Sequence, residues 1–166
     1  MIIRNFLTRA LARWLKPHVE VYMIKHPPTQ IIGGVKNPYL FRWCVFRKNR
    51  IGNVYLHMVV RNDDDRALHD HPFDSISIVL DGPISEIRKT RSGEVVRNFE
   101  VGDVVFRGAA ATHRLFLSDF PAMTCFFVGP RRRQWGFHCP KGWVPWQKFT
   151  AFSTDANGDR VGGGCE

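Results

Sequence analysis

The residues best suited to chemistry are histidines. His69 and His71 flank an aspartate in Leu68-His69-Asp70-His71-Pro72-Phe73-Asp74. Side chains at i and i+2 of a strand leave the same face, so both imidazoles can reach one point. A third, His113, opens another predicted strand behind Gly102-Asp103 and the small segment Gly108-Ala109-Ala110-Ala111-Thr112. Three neutral imidazoles converging from two strands make a facial set that leaves open positions for water, substrate or dioxygen. A lone histidine is more often structural than ligating. The apolar strand after the pair, and the turn-and-strand signal before His113, raise the metal reading above that alternative.

Other candidates stand nearby. His57 lies in Val54–Val60 with Tyr55 and Val59 on its face. Tyr55 and His57 are candidate proton donors if that face lines a cavity; a hydrogen-bonded strand histidine is the plainer reading. Arg107 and Arg114 flank His113, where a guanidinium can hold a carboxylate or phosphate in a fork. Surface exposure is the simple alternative for both. Asp63-Asp64-Asp65 reads as a solvated loop, since adjacent carboxylates repel unless a cation sits between them. Arg131-Arg132-Arg133 with Trp135 combines charge with a stacking ring, the best nucleic-acid footprint in the chain. A lone arginine triplet after a strand is more often an exposed turn.

The elements that must position these groups are strands. Short runs rich in β-branched and aromatic residues fall at Tyr39–Phe46, Val54–Val60, Phe73–Leu80, Ile84–Thr90, Glu94–Phe99, Val104–Arg107, His113–Leu117 and Ala122–Val128. Turn chemistry separates them: Lys48-Asn49, Asp81-Gly82-Pro83, Ser92-Gly93 and Gly129-Pro130. Many short strands without helical crossovers predict an all-β sandwich or barrel. Before them, apolar residues from Ile2 to Leu15 recur at helical spacing, with Arg4, Arg9, Arg13 and Lys16 off the stripe. Pro17 is expected to end this amphipathic helix. Such a helix packs on its own domain or on a second subunit, which would make a homodimer; docking to an anionic membrane surface is the minority reading. The sequence thus divides into a helix over 1–17, one barrel over 18–150 and a loose tail over 151–166.

A chain of 166 residues suits one domain with one core. No apolar run is long enough to span a bilayer, and arginines interrupt the only stretch that could resemble a secretory signal. Cys44, Cys125, Cys139 and Cys165 form no CxxC pair. Buried free thiols in a reducing, cytoplasmic setting are expected rather than a disulfide framework or a zinc finger. Lysine and arginine number 24 against 15 acids, a net charge of +9. That surplus favours anionic partners, either small molecules or nucleic acid, without choosing between them.

With these motifs in hand, the chain resembles the cupin superfamily over residues 52 to 128. An HxH strand ends in a glycine, and Gly102-Asp103 is followed by a later histidine. More narrowly, His-Asp-His-Pro, Thr112-His113-Arg114, Trp135-Gly136-Phe137 and Gly142-Trp143-Val144 resemble small single-cupin proteins of bacteria and their phages. The resemblance implies a double-stranded β-helix, a jelly-roll-like barrel, with one divalent metal inside it held by His69, His71 and His113. Most metal-binding cupins add a carboxylate four or five residues after the second histidine; here those positions are Ser75 and Ile76. Asp74 is one step early, so it is a possible fourth ligand or supporting partner, or it caps a turn. The expected function is a metal-dependent oxygenase, with iron(II) the first choice of metal and zinc, nickel and manganese the alternatives. A sugar or sugar-phosphate isomerase or lyase is the runner-up, and a non-enzymatic ligand- or nucleic-acid-binding cupin stands behind it.

Overall fold

Asn5 starts the first helix. Its side chain accepts the Thr8 N–H at 3.0 Å while Thr8 Oγ1 accepts the Asn5 N–H at 3.1 Å, closing a capping box. In the computed structural model, which describes residues 1–46, 50–62, 67–117, 121–150, 152–154 and 160–165, helix α1 runs Phe6–Lys25. The expected stop at Pro17 is therefore corrected. Pro17 stands on the exposed side, and Val19, Tyr22 and Met23 beyond it pack with Ala12 and Leu15 on the barrel. Their burial offsets a mid-helix proline's cost of about 3 kcal/mol. The apolar stripe is shared differently from expectation. Phe6, Leu7, Leu11, Trp14 and Ile24 face solvent, and Ile2–Ile3 form a short strand, β1.

The remaining strands are β2 (Gln30–Ile32), β3 (Leu40–Cys44), β4 (Asn53–Val59), β5 (Leu68–His69), β6 (Ser75–Asp81), β7 (Ile84–Thr90) and β8 (Gly93–Phe99). After them come β9 (Val104–Arg107), β10 (His113–Leu117), β11 (Ala122–Val128), β12 (Gly136–Cys139) and β13 (Gly142–Pro145). A single turn, α2 (Trp146–Phe149), precedes a hairpin of β14 (Phe152–Thr154) and β15 (Arg160–Gly162). Strands β7, β9, β10 and β11 carry the bounds their residue patterns predict.

Among the described residues the strands form two main antiparallel sheets, ordered β1-β9-β6-β11-β4-β3-β2 and β13-β12-β5-β10-β7-β8. Side-chain alternation explains the layers. Trp43, Leu56, Ile78, Leu80 and Cys125 leave the outer face of the first sheet and meet α1. Leu40, Val59, Val79, Ile84, Phe99 and Val105 fill the space between the sheets. The result is a jelly-roll sandwich with an N-terminal helix laid on one side. Gly102-Asp103 serves that attachment. A Cβ on Gly102 would sit 2.6 Å from the Arg9 Cα, and Gly102 adopts φ 93°, so only glycine fits beneath the helix. Asp103, fully buried, takes a two-pronged bond from Arg4 at 2.6 Å on each oxygen.

Expectations for the cysteines are corrected. Cys44 and Cys125 are free, but Cys139 on β12 is bonded to Cys165, with the Cα atoms 5.4 Å apart. The returning tail makes this pair, and sequence spacing carries no sign of that return. Of the tail expected to be loose, the described part is tied down by this bond, by the hairpin and by the Gly164 N–H donating to Phe149 O. Denatured, unreduced protein should accordingly show two alkylatable thiols, Cys44 and Cys125, and four only after reduction. An intact-mass measurement giving four before reduction would remove the bridge. Among the described residues, no helix is long and apolar enough to cross a membrane. The Lys48-Asn49 turn and the Asp63-Asp64-Asp65 loop lie outside the described residues.

Candidate metal centre

Antiparallel pairing does most of the positioning. His69 ends β5, His113 begins β10, and the two are direct cross-strand partners. His71 follows β5, where its N–H donates to Ala109 O at 3.0 Å and fastens it to the small segment before β10. The structure thus brings together the three histidines that their spacing nominated. Their ligand nitrogens lie within 4.8 Å of one another. Nε2 of His71 and Nε2 of His113 are 2.9 Å apart, the spacing of two neighbouring ligands each about 2.1 Å from one ion. This donor set fits a divalent ion of intermediate softness, since imidazole suits iron, zinc and nickel alike.

A buried carboxylate governs the third ligand. Glu86 on β7 is fully buried, and its Oε1 lies 3.0 Å from His113 Nδ1. That bond places the ring proton on Nδ1 and turns the Nε2 lone pair toward His69 and His71. Arg107, reaching across from β9 in the opposite sheet, donates to both Glu86 oxygens at 3.2 Å. Burial, followed by the charges of Arg107, His69 and Arg88, holds His113 well below the ordinary histidine range. His71 is lowered in the same way, by burial first and then by His113, His69, Arg107 and Arg42. Both rings are therefore neutral near pH 7, the state a metal ligand requires.

Asp70, between the two histidines, points the other way. It accepts the Gly136 N–H at 2.9 Å and the Trp143 Nε1–H at 3.1 Å, and it pairs with Arg133 at 2.8 Å and His138 at 3.0 Å. Burial alone would raise its pKa; the Gly136 N–H, Arg133 and His138 outweigh burial and hold it below the usual range. One dipeptide step thus separates a ligand face from a clamp on β12 and β13.

The imidazoles open on a cavity of about 470 Å³ between the sheets. Val59, Val79, Phe99, Leu115 and Phe126 supply apolar wall, and Trp135 and Phe137 pack beside the histidines. Arg42, Arg61 and Arg107 also line it, whereas no aspartate or glutamate is among the described lining residues.

Several expectations are revised here. Asp74 is not with the histidines: Oδ1 accepts the Ala109 N–H at 2.8 Å and Oδ2 pairs with Arg132 at 2.8 Å, so it ties loops together. Arg107 faces the cavity but is committed to Glu86. Arg114 follows His113 in β10 and so leaves the opposite face of the sheet. His57 does line the cavity, buried, with Nε2 accepting the Arg42 Nε–H at 3.0 Å. Burial and then the Arg42 charge hold it far below the ordinary histidine range. Tyr55 is outside the lining, its ring 6.0 Å from that of His57 and covered by the Arg42 guanidinium at 5.0 Å. Burial pushes its phenol up. Of the arginine triplet, Arg132 and Arg133 hold Asp74 and Asp70, and Trp135 stacks on Trp146 at 5.7 Å.

Glu86 and Arg42 were not singled out from the sequence. A signal for Glu86 exists: Ile84 and Glu86 share a strand face, so an acid on the core side demands a partner. Arg42 likewise shares a face with Leu40.

No protein-family model matches this chain, and no curated protein matches it. Solved structures do. Oxalate decarboxylase from Bacillus subtilis is similar at a TM-score of 0.51 and 16% identity, over 78% of this chain and 32% of that one. Fe(II)-HppE with an alternative substrate is similar at 0.48 and 18%, over 60% of this chain and 55% of that one. The DMSP lyase DddQ from Ruegeria pomeroyi matches at 0.48 and 16%, over 63% and 54%. This chain spans about half the length of HppE and DddQ and about a third of oxalate decarboxylase. The likeness to oxalate decarboxylase shows the fold, which is of the cupin type.

Proposed function

We propose that this chain is a metal-dependent enzyme, an iron(II) oxygenase in first reading, that acts on a small anionic molecule in the cavity between its sheets. The observation that carries the reading is the convergence of three imidazoles on a cavity wall, with ligand nitrogens within 4.8 Å of one another and no carboxylate among them. His69, His71 and His113 would hold the ion, and a set of only three protein ligands would leave it open to a substrate. When bound, iron(II) there supplies a Lewis-acidic and redox-active centre.

The chain's own residues supply the rest. Glu86 keeps the His113 Nε2 lone pair aimed at the centre. Val79, Phe99 and Phe126 exclude water, which strengthens every charge interaction inside. His57, whose Nε2 accepts from Arg42, carries its hydrogen on Nδ1 and is neutral, so of the two candidate proton donors it serves here as a hydrogen-bond donor; Tyr55 stands behind Arg42.

A second reading, sugar or sugar-phosphate isomerase or lyase chemistry, with or without a metal, draws on the same positive cavity. Protein purified without chelators should carry stoichiometric divalent metal, and His69→Ala or His113→Ala should lose it, read by elemental analysis. With iron(II) restored, oxygen uptake in the presence of small acids supports the oxygenase. Turnover that continues without oxygen moves the protein to the second reading. Absence of bound metal in the native protein, with no restoration by iron, zinc, nickel or manganese, sinks the oxygenase.

A further inference from the structure

We infer that Arg42, held in place by His57, is the anion-binding residue of the cavity, and that the molecule taken there presents a carboxylate. The inference rests on reading the cavity as a substrate site and assigns a residue and a head group to it.

Three arginines line the cavity, but their charges are placed differently. Arg107 spends Nε and one terminal nitrogen on the buried Glu86 carboxylate. Exposed Arg61 donates to the Asn37 carbonyl at 3.4 Å. Arg42 donates Nε–H to His57 Nε2 at 3.0 Å and one Nη1–H to Gln30 Oε1 at 3.2 Å. Both partners are neutral, and among the described residues no carboxylate reaches Arg42. A guanidinium has five N–H donors, so the outer edge, with its remaining Nη1 and Nη2 hydrogens, is left for a ligand. The ring of Tyr55 covers one face of the group, which directs an incoming anion to that edge rather than to the face. Burial lowers the proton affinity of Arg42, and a bound anion would relieve that desolvation.

Position gives the head group a purpose. Arg42 and His57 are register partners on β3 and β4, in the first sheet. The three imidazoles belong to the second sheet, on and just beyond β5 and at the start of β10. Facing sheets lie about 10 Å apart. A short molecule anchored at Arg42 therefore spans the gap, with its other end at the histidines and its body against Val59, Val79 and Phe126. Two coplanar N–H groups match two carboxylate oxygens in a fork, a fit that a point-charge lysine cannot copy. His57 is a positioning residue in this arrangement. Its neutral acceptor fixes the Arg42 Nε–H and so aims the free edge.

Calorimetric titration of the full chain with acetate, isobutyrate and benzoate, the neutral isobutyramide, and inorganic phosphate tests this directly. Metal content is measured in parallel. At least one carboxylate should bind the native protein, and isobutyramide should not. Arg42→Met should weaken carboxylate binding by about tenfold to a hundredfold. Arg42→Lys, which keeps the charge and guards against a misfolded methionine variant, should recover only part of the loss. His57→Phe should weaken binding and His57→Gln, which restores an acceptor, should regain most of it. Unchanged carboxylate affinity in folded Arg42→Met and Arg42→Lys overturns the assignment. So does failure of all three carboxylates to bind, or equal binding of the amide. Phosphate binding more tightly than any carboxylate, and lost in Arg42→Met, overturns the carboxylate head group. Metal loading separates this inference from the enzyme reading. Arg42-dependent binding in a chain that takes up no metal removes the enzyme and leaves the anchor, whereas normal metal loading with Arg42-independent binding removes the anchor alone.

Discussion

Replacing Glu86 by alanine is expected to cost about 3–5 kcal/mol of folding stability, because it strands Arg107 in the interior without its counter-charge. Arg107 is buried and donates to both oxygens of a carboxylate that is itself fully buried, and the pair joins the two sheets. The same substitution removes the acceptor that holds the His113 Nδ1 proton. The ring is then free to turn, and divalent-metal affinity should fall by about tenfold to a hundredfold. A double variant, Glu86→Leu with Arg107→Leu, separates the two effects. It should regain much of the stability, since apolar replacements of a buried ion pair are often tolerated, yet it should not regain metal affinity. Urea denaturation gives the first quantity and competitive chelator titration the second. A Glu86→Ala protein that loses under about 1 kcal/mol and binds metal normally would show that this carboxylate does neither job.

Acid should destabilise the metal-free protein steeply. His57 and His113 are buried, and their pKa values in the folded chain lie well below the unfolded value, which is about 6.5. Below that pH the unfolded chain takes up protons that the folded chain refuses. Stability is therefore fully present above about pH 6.5 and is lost as the pH falls from there toward the lowered folded values. Each group contributes a slope of up to about 1.4 kcal/mol per pH unit, so the pair gives about 3 kcal/mol per unit. His71 is shifted in the same direction and adds to it. Urea unfolding at about pH 7.5, 6 and 5 measures the slope. A free energy that stays level across that range contradicts the neutral, buried state assigned to these rings.

The barrel was legible because strands speak in local chemistry. β-branched runs bounded by Gly-Pro, Ser-Gly and Asp-Gly steps predicted β7, β9, β10 and β11 with the bounds observed. The three histidines were legible because the HxH spacing aims two side chains the same way and His113 begins the strand that pairs with the one ending in His69, although His71 itself lies just past that strand. What escaped was non-local. Nothing near Cys139 reports that the tail returns to it, and nothing near Pro17 reports that a sheet lies beneath Val19 and Tyr22. The pairing of Glu86 with Arg107 escaped because the two meet only when the sheets face one another. Arg42 becomes a cavity group only once β3 pairs with β4 in register. Asp74 stayed open among ligand, partner and turn cap because its distance along the chain from His71 says nothing of Ala109 and Arg132, which claim its oxygens.

All three imidazoles come from the β5–β10 side of the sandwich, and none from the wall that carries β3 and β4. Ion loading and ligand choice are thereby lodged in separate walls of one vessel. Libraries randomised on β3 and β4 should alter which acids are accepted while leaving metal content constant, so a shift in preference can be selected without rebuilding the reactive centre.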